Sequence, residues 1–409
     1  MAEQATRPTL GAVLAALCAT EIVSWGLLYY AFPVLAPRIS ADTGWPPAAV
    51  TAAFSAALVV SALAGVLVGR VIDRRGPRLV MTTGSVLGVA ALVVVATAPG
   101  LPVFVAGWVL AGAAMAGVLY PPAFAAITGW FDARRLGALA TLTLVAGLAS
   151  TVFAPLTAAA GKHLGWHGAY LWAAAVLAVL TVPVHWFLLR RPWPARQHAA
   201  EPAADRAYAA RVVRSGRFRL LAAGLTMASL AMYTSLLALV PLMLERGLGT
   251  GTAAWVLGLG GVGQVAGRLV YTALGDRFSL TARTAAVFAV VAGSTLALAV
   301  VPGPVGLLIA ASMAAGVGRG VATLLQATAI TDRWGPRAYG RLSGVVGLPA
   351  LLAAAIAPFA GTVLAHAVGG YASAFAVLAA LAGVGAALMV ASARTGSPRQ
   401  AEAAPSRAA

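Results

Sequence analysis

From Leu10 almost to the end of the chain, apolar stretches of about twenty residues follow one another with only short polar breaks between them. In helical form, a stretch of about that length crosses the ~30 Å hydrocarbon core of a bilayer. Twelve can be placed, at 10–36, 46–68, 79–98, 103–130, 136–160, 168–189, 219–244, 252–274, 283–301, 305–330, 342–365 and 370–391. Ala, Leu, Val and Gly dominate them, and nothing alternates every second residue over about ten positions as a membrane strand does. The chain is 61% hydrophobic and 10% charged, with a mean hydropathy of +0.89. Soluble domains are roughly 45–50% apolar and 25% charged, so this apolar surface belongs in lipid and the reading is an all-α membrane protein. Pro33, Pro155, Pro241 and Pro358 fall inside spans, where neighbouring helices can re-satisfy the freed carbonyls. Met1 to Thr9 is too short and polar for a cleavable leader, so the first span is expected to remain in the membrane.

The spans fall into two sets of six. Asp73-Arg74 recurs as Asp276-Arg277, an offset of 203 residues. The same offset relates Phe131 to Trp334, Gly137 to Gly340, and Ala154-Pro155 to Ala357-Pro358. A constant, gapless offset over that distance implies a duplicated unit. Six helices per unit insert both halves the same way round, which relates them by a pseudo-two-fold axis along the membrane normal and places a substrate site between them near the midplane. The expected organisation is an N-terminal half at 1–189, a linker at 190–218, a C-terminal half at 219–391 and a disordered tail at 392–409.

A net charge of +17 would suggest nucleic acid in a soluble protein. Here 23 of the 28 Lys and Arg fall on one side of the spans, and only Arg38, Lys162 and Arg246 fall opposite. Cationic loops stay cytoplasmic, so the expectation is a multi-pass protein of the cytoplasmic membrane with both termini inside, no nucleic-acid partner, and a monomer as the functional unit. Residues 206–219 carry five arginines and form a candidate amphipathic basic helix against anionic headgroups. Cys18 alone supports neither a disulfide framework nor a metal cluster, and no cofactor is implied. The run Gly258-Leu-Gly260-Gly261-Val-Gly263 lies inside a span rather than after a strand, so it is not a phosphate loop. With no Ser/His/acid constellation either, an enzyme is disfavoured. A receptor would need an extramembrane signalling domain that these segments do not provide.

The segment Gly69-Arg-Val-Ile-Asp73-Arg74-Arg75-Gly76-Pro77-Arg78, with Gly267-Arg268-Leu-Val-Tyr-Thr-Ala-Leu-Gly-Asp276-Arg277 as its counterpart, resembles the signature loops of the major facilitator superfamily. Tyr30-Ala31-Phe32-Pro33 and Trp130-Phe131-Asp-Ala-Arg134-Arg135 are similar to segments of its monocarboxylate transporter and oxalate/formate exchanger branch. The resemblance implies a secondary transporter working by alternating access. It also implies a latch on the cytoplasmic side, with Asp73, Arg74, Arg78, Arg134 and Arg135, and Asp276 and Arg277 in the second half, as gating residues. Departures stand beside it. Val34 occupies the position of the branch's first-helix lysine, Gln264 that of an acid four residues before the eighth-helix arginine, and 342–365 contains no lysine.

Away from the span ends only three charges lie within the spans: Glu21, Arg268 and Arg319. Each costs about 2.5–3.5 kcal/mol at the centre of a membrane helix, so each needs a partner or a wet cavity. Arg319 is too deep to snorkel and has Ala116 as its repeat mate. It reads either as a substrate site or as a buried pair with Glu21 or with carbonyls. Arg268, with Gly65 as mate, reads as a carboxylate ligand by resemblance, or as a brace near the inner end of its helix. Glu21 is a candidate proton carrier, with a static salt bridge as the alternative. Gln264, Gln326, Tyr29, Tyr120 and Tyr233 could complete the cavity. Trp108, His185 and Trp186, near span ends, read as interface anchors. Two arginines against one acid favour a small anionic, monocarboxylate-like solute, with a co-transported proton as a further partner. Export of a drug-like or secondary-metabolite compound is the alternative.

Overall fold

The computed structural model describes residues 8–194, 203–274, 279–335 and 337–394. The N-terminal half contains α1 (Leu10–Thr43), α2 (Pro47–Arg75), α3 (Pro77–Ala96), α4 (Leu101–Trp130), α5 (135–164) and α6 (166–188). α5 and α6 run on as one helical trace except at Gly165, whose φ of 68° turns the chain back. The C-terminal half contains α7 (216–245), α8 (Thr250–Leu274), α9 (Leu280–Val300), α10 (Val305–Thr328), α11 (Tyr339–Ala367) and α12 (Tyr371–Arg394). These are the twelve spans in two sets of six, and the described residues contain no strand. α12 runs two residues past the expected start of the tail, and residues 395–409 lie outside the described residues.

The duplication is written in the backbone as well as in the residues. Gly44 (φ 72°) ends α1 and Gly247 (φ 78°) ends α7, 203 residues apart. Asp132 (φ 40°) and Gly335 (φ 75°), again 203 apart, both take a positive φ after the fourth helix of each half. Proline breaks the central helices where the sequence places it. Pro121 and Pro122 cannot donate to the carbonyls of Gly117 and Val118, and α4 is interrupted at an extended Leu119 before restarting at Tyr120. Pro241 leaves the Leu237 carbonyl without its donor, and α7 breaks at Ala238. In α1, Pro33 follows a six-residue π-helical segment, Trp25–Tyr30.

Small residues let helices approach backbone to backbone. The tightest case is the seam between α8 and α10. There a Cβ on Gly267 would stand 2.5 Å from the Val317 carbonyl oxygen, and one on Gly316 would stand 3.0 Å from the Gln264 nitrogen. The N-terminal half is packed on aromatic rings instead. Trp108 is fully buried among Phe32, Phe54, Phe104 and Tyr170, so it is a core residue and not an interface anchor. His185 is likewise fully buried, with Nδ1 2.8 Å from Ser85 Oγ. Both lie near span ends but on the inward face of their helices. Trp186 is 39% exposed, as an anchor should be.

The halves meet across two helix pairs. Ser55 Oγ of α2 accepts from the Phe359 N–H of α11 at 3.1 Å, and Thr151 Oγ1 of α5 donates to the Gly258 carbonyl of α8 at 2.7 Å. Toward the linker face the α2 and α11 surfaces are bare: Leu63, Val66, Leu67, Leu348 and Leu351 are about half exposed or more, and Cβ atoms on Gly65, Gly69, Gly340 and Gly344 would meet nothing within 4 Å.

The linker is fastened to both halves. Trp193 Nε1 donates to the Asp73 carbonyl (3.2 Å), and its ring sits against Gly76 and Gly129, where a Cβ would collide with it. Trp130 Nε1 donates to the Pro192 carbonyl (3.0 Å). On the other side the linker helix Ala203–Arg214 packs Ala209 and Val212 against the protein, Tyr208 donates to the Trp334 carbonyl, and Asp205 pairs with Arg337 at 2.8 Å. Its apolar face is therefore spent on the C-terminal half, while Arg206, Arg211 and Arg214 remain exposed. Arg333, the repeat mate of Trp130, holds the end of α12 through Ser392 Oγ (3.0 Å) and the Met389 carbonyl (3.3 Å). Burial, and then the charge of Arg217, push Arg333 down to about 10, which leaves it cationic at neutral pH. The same loop position thus clamps the chain leaving the sixth helix of each half.

Gly316→Leu is expected to lower the thermal midpoint of the detergent-purified protein, overpacking of this kind costing about 1–3 kcal/mol. Gly65→Ala, which meets open space, should leave the midpoint unchanged or slightly higher, and equal losses at the two sites would contradict the seam. Trp193→Ala is expected to speed trypsin cleavage after Arg190, already an exposed side chain, without loss of helical circular dichroism. Unaltered cleavage would show that the strap does not depend on that ring.

Candidate functional site

The π-helical segment of α1 sets the geometry of the bundle centre. Its i→i+5 pattern, seen where the Ala31 N–H bonds to the Gly26 carbonyl, brings Trp25 beneath both Tyr29 (ring centroids 5.2 Å) and Tyr30 (6.5 Å). Gly26 makes the bend possible, because Phe153 of α5 lies against it where any side chain would stand. π-Segments of this kind occur frequently at functional sites. The Leu119 break in α4 then delivers Tyr120 to Trp25, with centroids 4.9 Å apart and Phe124 stacked behind at 5.1 Å.

Opposite this ring cluster the C-terminal half supplies charge. Arg319 lies in the middle of α10, 7% exposed. Among the described residues no carboxylate lies within 4 Å of its guanidinium, no hydrogen bond engages it, and its Nε is buried without an acceptor. A pair with Glu21 or with backbone carbonyls, the structural alternative, is not what the fold contains. The α8–α10 seam holds Arg319 Nη2 beside Gly260; Gln264, one turn further along α8, is 8% exposed with Oε1 unpartnered. The charge of Arg319 reaches Tyr29, Tyr30 and Tyr233. A narrow cavity of about 20 Å³ opens along it between α7, α9 and α10.

Arg268 is differently placed. Its Nη1 donates to the Thr143 carbonyl of α5, across the interface between the halves, and the side chain is 6% exposed. It also lies close enough to Tyr30, Tyr120 and Tyr233 for its charge to act on them. Gln326 stands two turns from Arg319, half-buried toward the linker face. Glu21 is fully buried, and among the described residues neither carboxyl oxygen has a partner and no salt bridge engages it. Ser24 Oγ and the Trp25 indole N–H, on the next turn, are also buried without partners; the indole lies near the carboxyl but outside hydrogen-bond geometry.

The signature loop is drawn toward the linker strap. Asp73 is half-buried, and its carbonyl receives Trp193. Arg78 lies 4.1 Å over the Trp186 ring and donates to its carbonyl at 2.9 Å. Arg74, Arg134 and Arg135 are exposed, while Asp276 and Arg277 lie outside the described residues. Trp25 and Trp193 are the two functional candidates that composition and charge did not single out. The run Trp25-Gly-Leu-Leu-Tyr-Tyr carried a signal, three rings flanking a glycine in one helix, but no α-helical periodicity puts all three together.

The family model of the Major Facilitator Superfamily matches residues 14–306 and 220–409. Monocarboxylate transporter 11 of Homo sapiens is 30% identical over 355 residues, 82% of this chain and 70% of that protein. Multidrug resistance protein MdtL of Shigella flexneri is 32% identical over 170 residues, 40% of this chain and 42% of that protein. An uncharacterized 38 kDa protein of Thermoproteus tenax is 34% identical over 143 residues, only 38% of its own length. A bacterial homologue of the human lysosomal transporter Spinster, solved in an inward-facing and unoccupied conformation, superposes with a TM-score of 0.74 over 94% of this chain and 98% of its own, at 14% identity. The nucleoside transporter NupG superposes with a TM-score of 0.74 over 93% and 99%, at 13% identity. Likenesses at such low identity speak for the fold alone, but together with the family match along the sequence they leave one conclusion: this chain belongs to the major facilitator superfamily and is a membrane transporter rather than an enzyme.

Proposed function

We propose that the protein moves a small organic anion, a monocarboxylate, across the cytoplasmic membrane by rocking its two halves about a site centred on Arg319. The observation that carries this reading is that, among the described residues, no carboxylate or hydrogen-bond acceptor engages that guanidinium, whose Nε is buried. A membrane helix does not hold an uncompensated charge at its centre without use for it, and a planar guanidinium pairs with a carboxylate through two parallel N–H···O bonds. The long match to a monocarboxylate transporter supports the same class. Gln264, one turn along α8 from the Gly260 that lies beside Arg319 and with a free carbonyl oxygen, is our candidate acceptor for a hydroxyl on the cargo. Arg268 serves as a brace between α5 and α8, its Thr143 bond being one of the contacts that must break when the halves rock.

The arginine-rich linker face is the cytoplasmic one on the positive-inside rule. The bare linker-side surfaces of α2 and α11 support reading this as a state opening toward the linker face at that helix pair, with the Ser55 bond closing the far side, while Thr151 and Arg268 still join α5 to α8. Asp73, and the strap of Trp193 across it, tie the signature loop to the linker, so movement of either half is passed to the other at this edge.

Glu21 supplies the coupling group. A carboxylate with no cation and no donor would cost several kcal/mol in this setting, so the neutral acid is the form that this fold buries, and a proton rides with the anion. Efflux of a drug-like compound, favoured by the partial match to a multidrug resistance protein and by the ring cluster, is the second reading. An uncharged cargo would leave Arg319 unexplained.

Arg319→Ala is expected to lower carboxylate flux into proteoliposomes by about tenfold to a hundredfold, the range of a charge-assisted hydrogen bond worth about 1.5–3 kcal/mol, with Arg319→Lys restoring only part. Undiminished flux in Arg319→Ala would overturn the site. Glu21→Gln should retain carboxylate exchange but lose acceleration by an imposed pH gradient; a gradient response equal to that of the parent protein would remove the proton from the scheme.

A further inference from the structure

Toward the linker face α8 and α9 part, and a cleft of about 450 Å³ opens between them. Val270 of α8 and Ala286, Val287 and Val290 of α9 form its walls, and Val317 and Val321 of α10 its floor. Val270 is 52% and Val290 40% exposed, so the walls face the acyl chains of the surrounding bilayer. Among the residues that line the cleft only Tyr271 and Arg283 are polar, and both belong to the linker-side ends of their helices. The cleft is thus apolar along its length and cationic at the level of the headgroups.

The duplicated architecture does not impose it. At the equivalent place in the N-terminal half, a Cβ on Gly84 of α3 would stand 2.8 Å from Val118 and 3.1 Å from the backbone of Gly117, so α3 lies directly on α4. The repeat mates of Gly84, Gly117 and Val118 are Val287, Gly320 and Val321. A side chain at Val287 bars α9 from repeating that approach to α10, and the space it leaves is the cleft. Tyr271 and Arg283 have Val68 and Val80 as mates. The gap and its polar mouth are therefore both departures of the second half, and they fall at the same place.

A cleft that opens into hydrocarbon is filled by hydrocarbon, since water inside it would lack hydrogen-bond partners. We infer that it binds one anionic phospholipid of the linker-side leaflet, with an acyl chain lying between α8 and α9 and the phosphate held by Arg283 and Tyr271. Arg283 Nη1 donates to the Tyr271 hydroxyl at 3.5 Å, and Nη2 stands 4.0 Å from Asp332 Oδ2 with the side chain 18% exposed. Asp332 Oδ2 also receives the Thr328 hydroxyl at 2.9 Å. Both of those contacts on Arg283 are long, and phosphate oxygens offer a planar guanidinium shorter, charge-assisted bonds. A basic pocket between membrane helices at headgroup level holds anionic lipid in this way. Val317 and Val321 stand on the face of α10 turned away from Arg319, so the acyl chain packs behind the helix that carries Arg319, at a site separate from the central one.

The test is native mass spectrometry of the detergent-purified full-length protein titrated with dioleoylphosphatidylglycerol, dioleoylphosphatidylcholine and glycerol phosphate. The expected result is one phosphatidylglycerol per chain, bound about tenfold or more tighter than phosphatidylcholine, the range of a charge-assisted hydrogen bond, with no binding of glycerol phosphate. Arg283→Gln should bring phosphatidylglycerol down to the level of phosphatidylcholine, and Ala286→Trp, which fills the cleft, should weaken both lipids, each with helical circular dichroism retained. Arg211→Gln, on the exposed face of the linker helix, should leave the preference unchanged. Equal binding of the two lipids by the parent protein overturns the inference, as does a loss of preference in Arg211→Gln equal to that in Arg283→Gln, which would show diffuse surface attraction. Binding of glycerol phosphate as tight as that of the lipid overturns the acyl-chain site, and a chain dimer that Ala286→Trp converts to monomer would give the cleft to a second copy instead.

Discussion

An uncompensated guanidinium at the centre of an apolar helix is the constraint around which this protein is arranged. Arg319 costs about 2.5–3.5 kcal/mol where it stands, and the fold spends close packing to hold it there. The glycines of α8 and α10 bring two backbones into contact, which fixes Arg319 beside Gly260, at the edge of a small cavity between α7, α9 and α10. Relieving the charge with an acid would have been simple, since Glu21 lies in the same bundle. The structure does not pair the two: each is fully or almost fully buried, and among the described residues neither the Glu21 oxygens nor Arg319 Nε has a partner.

Alternating access needs a contact set that can be exchanged at low cost. The bonds across the halves are few and mostly to backbone atoms: Ser55 with Phe359, Thr151 with Gly258, and Arg268 with Thr143. Each is worth about 1 kcal/mol net, or somewhat more with a charged donor, so the halves can part without a large penalty. The permanent bonds lie elsewhere, at the edges. Trp130 and Arg333, equivalent positions in the repeat, each grip the chain that leaves a sixth helix, and the linker between them is fastened to one half through Trp193 and to the other through Tyr208. On the proposed rocking mechanism, this tethered edge is the pivot.

Hydropathy and the 203-residue offset were enough to read twelve helices, two halves and the charged centre from the chain. Both are properties of long windows or of exact recurrence, and neither depends on which way a side chain points. What escaped depends on facing. Trp108 and His185 sit near span ends, where tryptophan and histidine commonly meet the interface, yet both turn inward to ring or hydroxyl partners far away in sequence. Arg268 reads as equally suited to ligand or brace until its bond to Thr143, 125 residues earlier, is seen. The part played by Trp25 needed the π-helical segment, whose i→i+5 pattern gathers residues that α-helical spacing separates. Helix ends also shifted, with α2 reaching Arg75 and α1 reaching Thr43, because a helix continues into water once its apolar stretch has ended.

If Arg319 is kept for its ligand rather than for the fold, replacing it with methionine should make the empty protein more stable and the binding protein useless. The thermal midpoint of Arg319→Met, with and without a saturating carboxylate, measures both at once. The account predicts a midpoint above that of the parent protein in the absence of ligand, because an unpaired buried charge has been exchanged for an apolar side chain of similar length, and no further rise when carboxylate is added. A lower midpoint without ligand, together with a ligand-induced rise equal to that of the parent, would show that Arg319 supports the fold and that the anion site lies elsewhere.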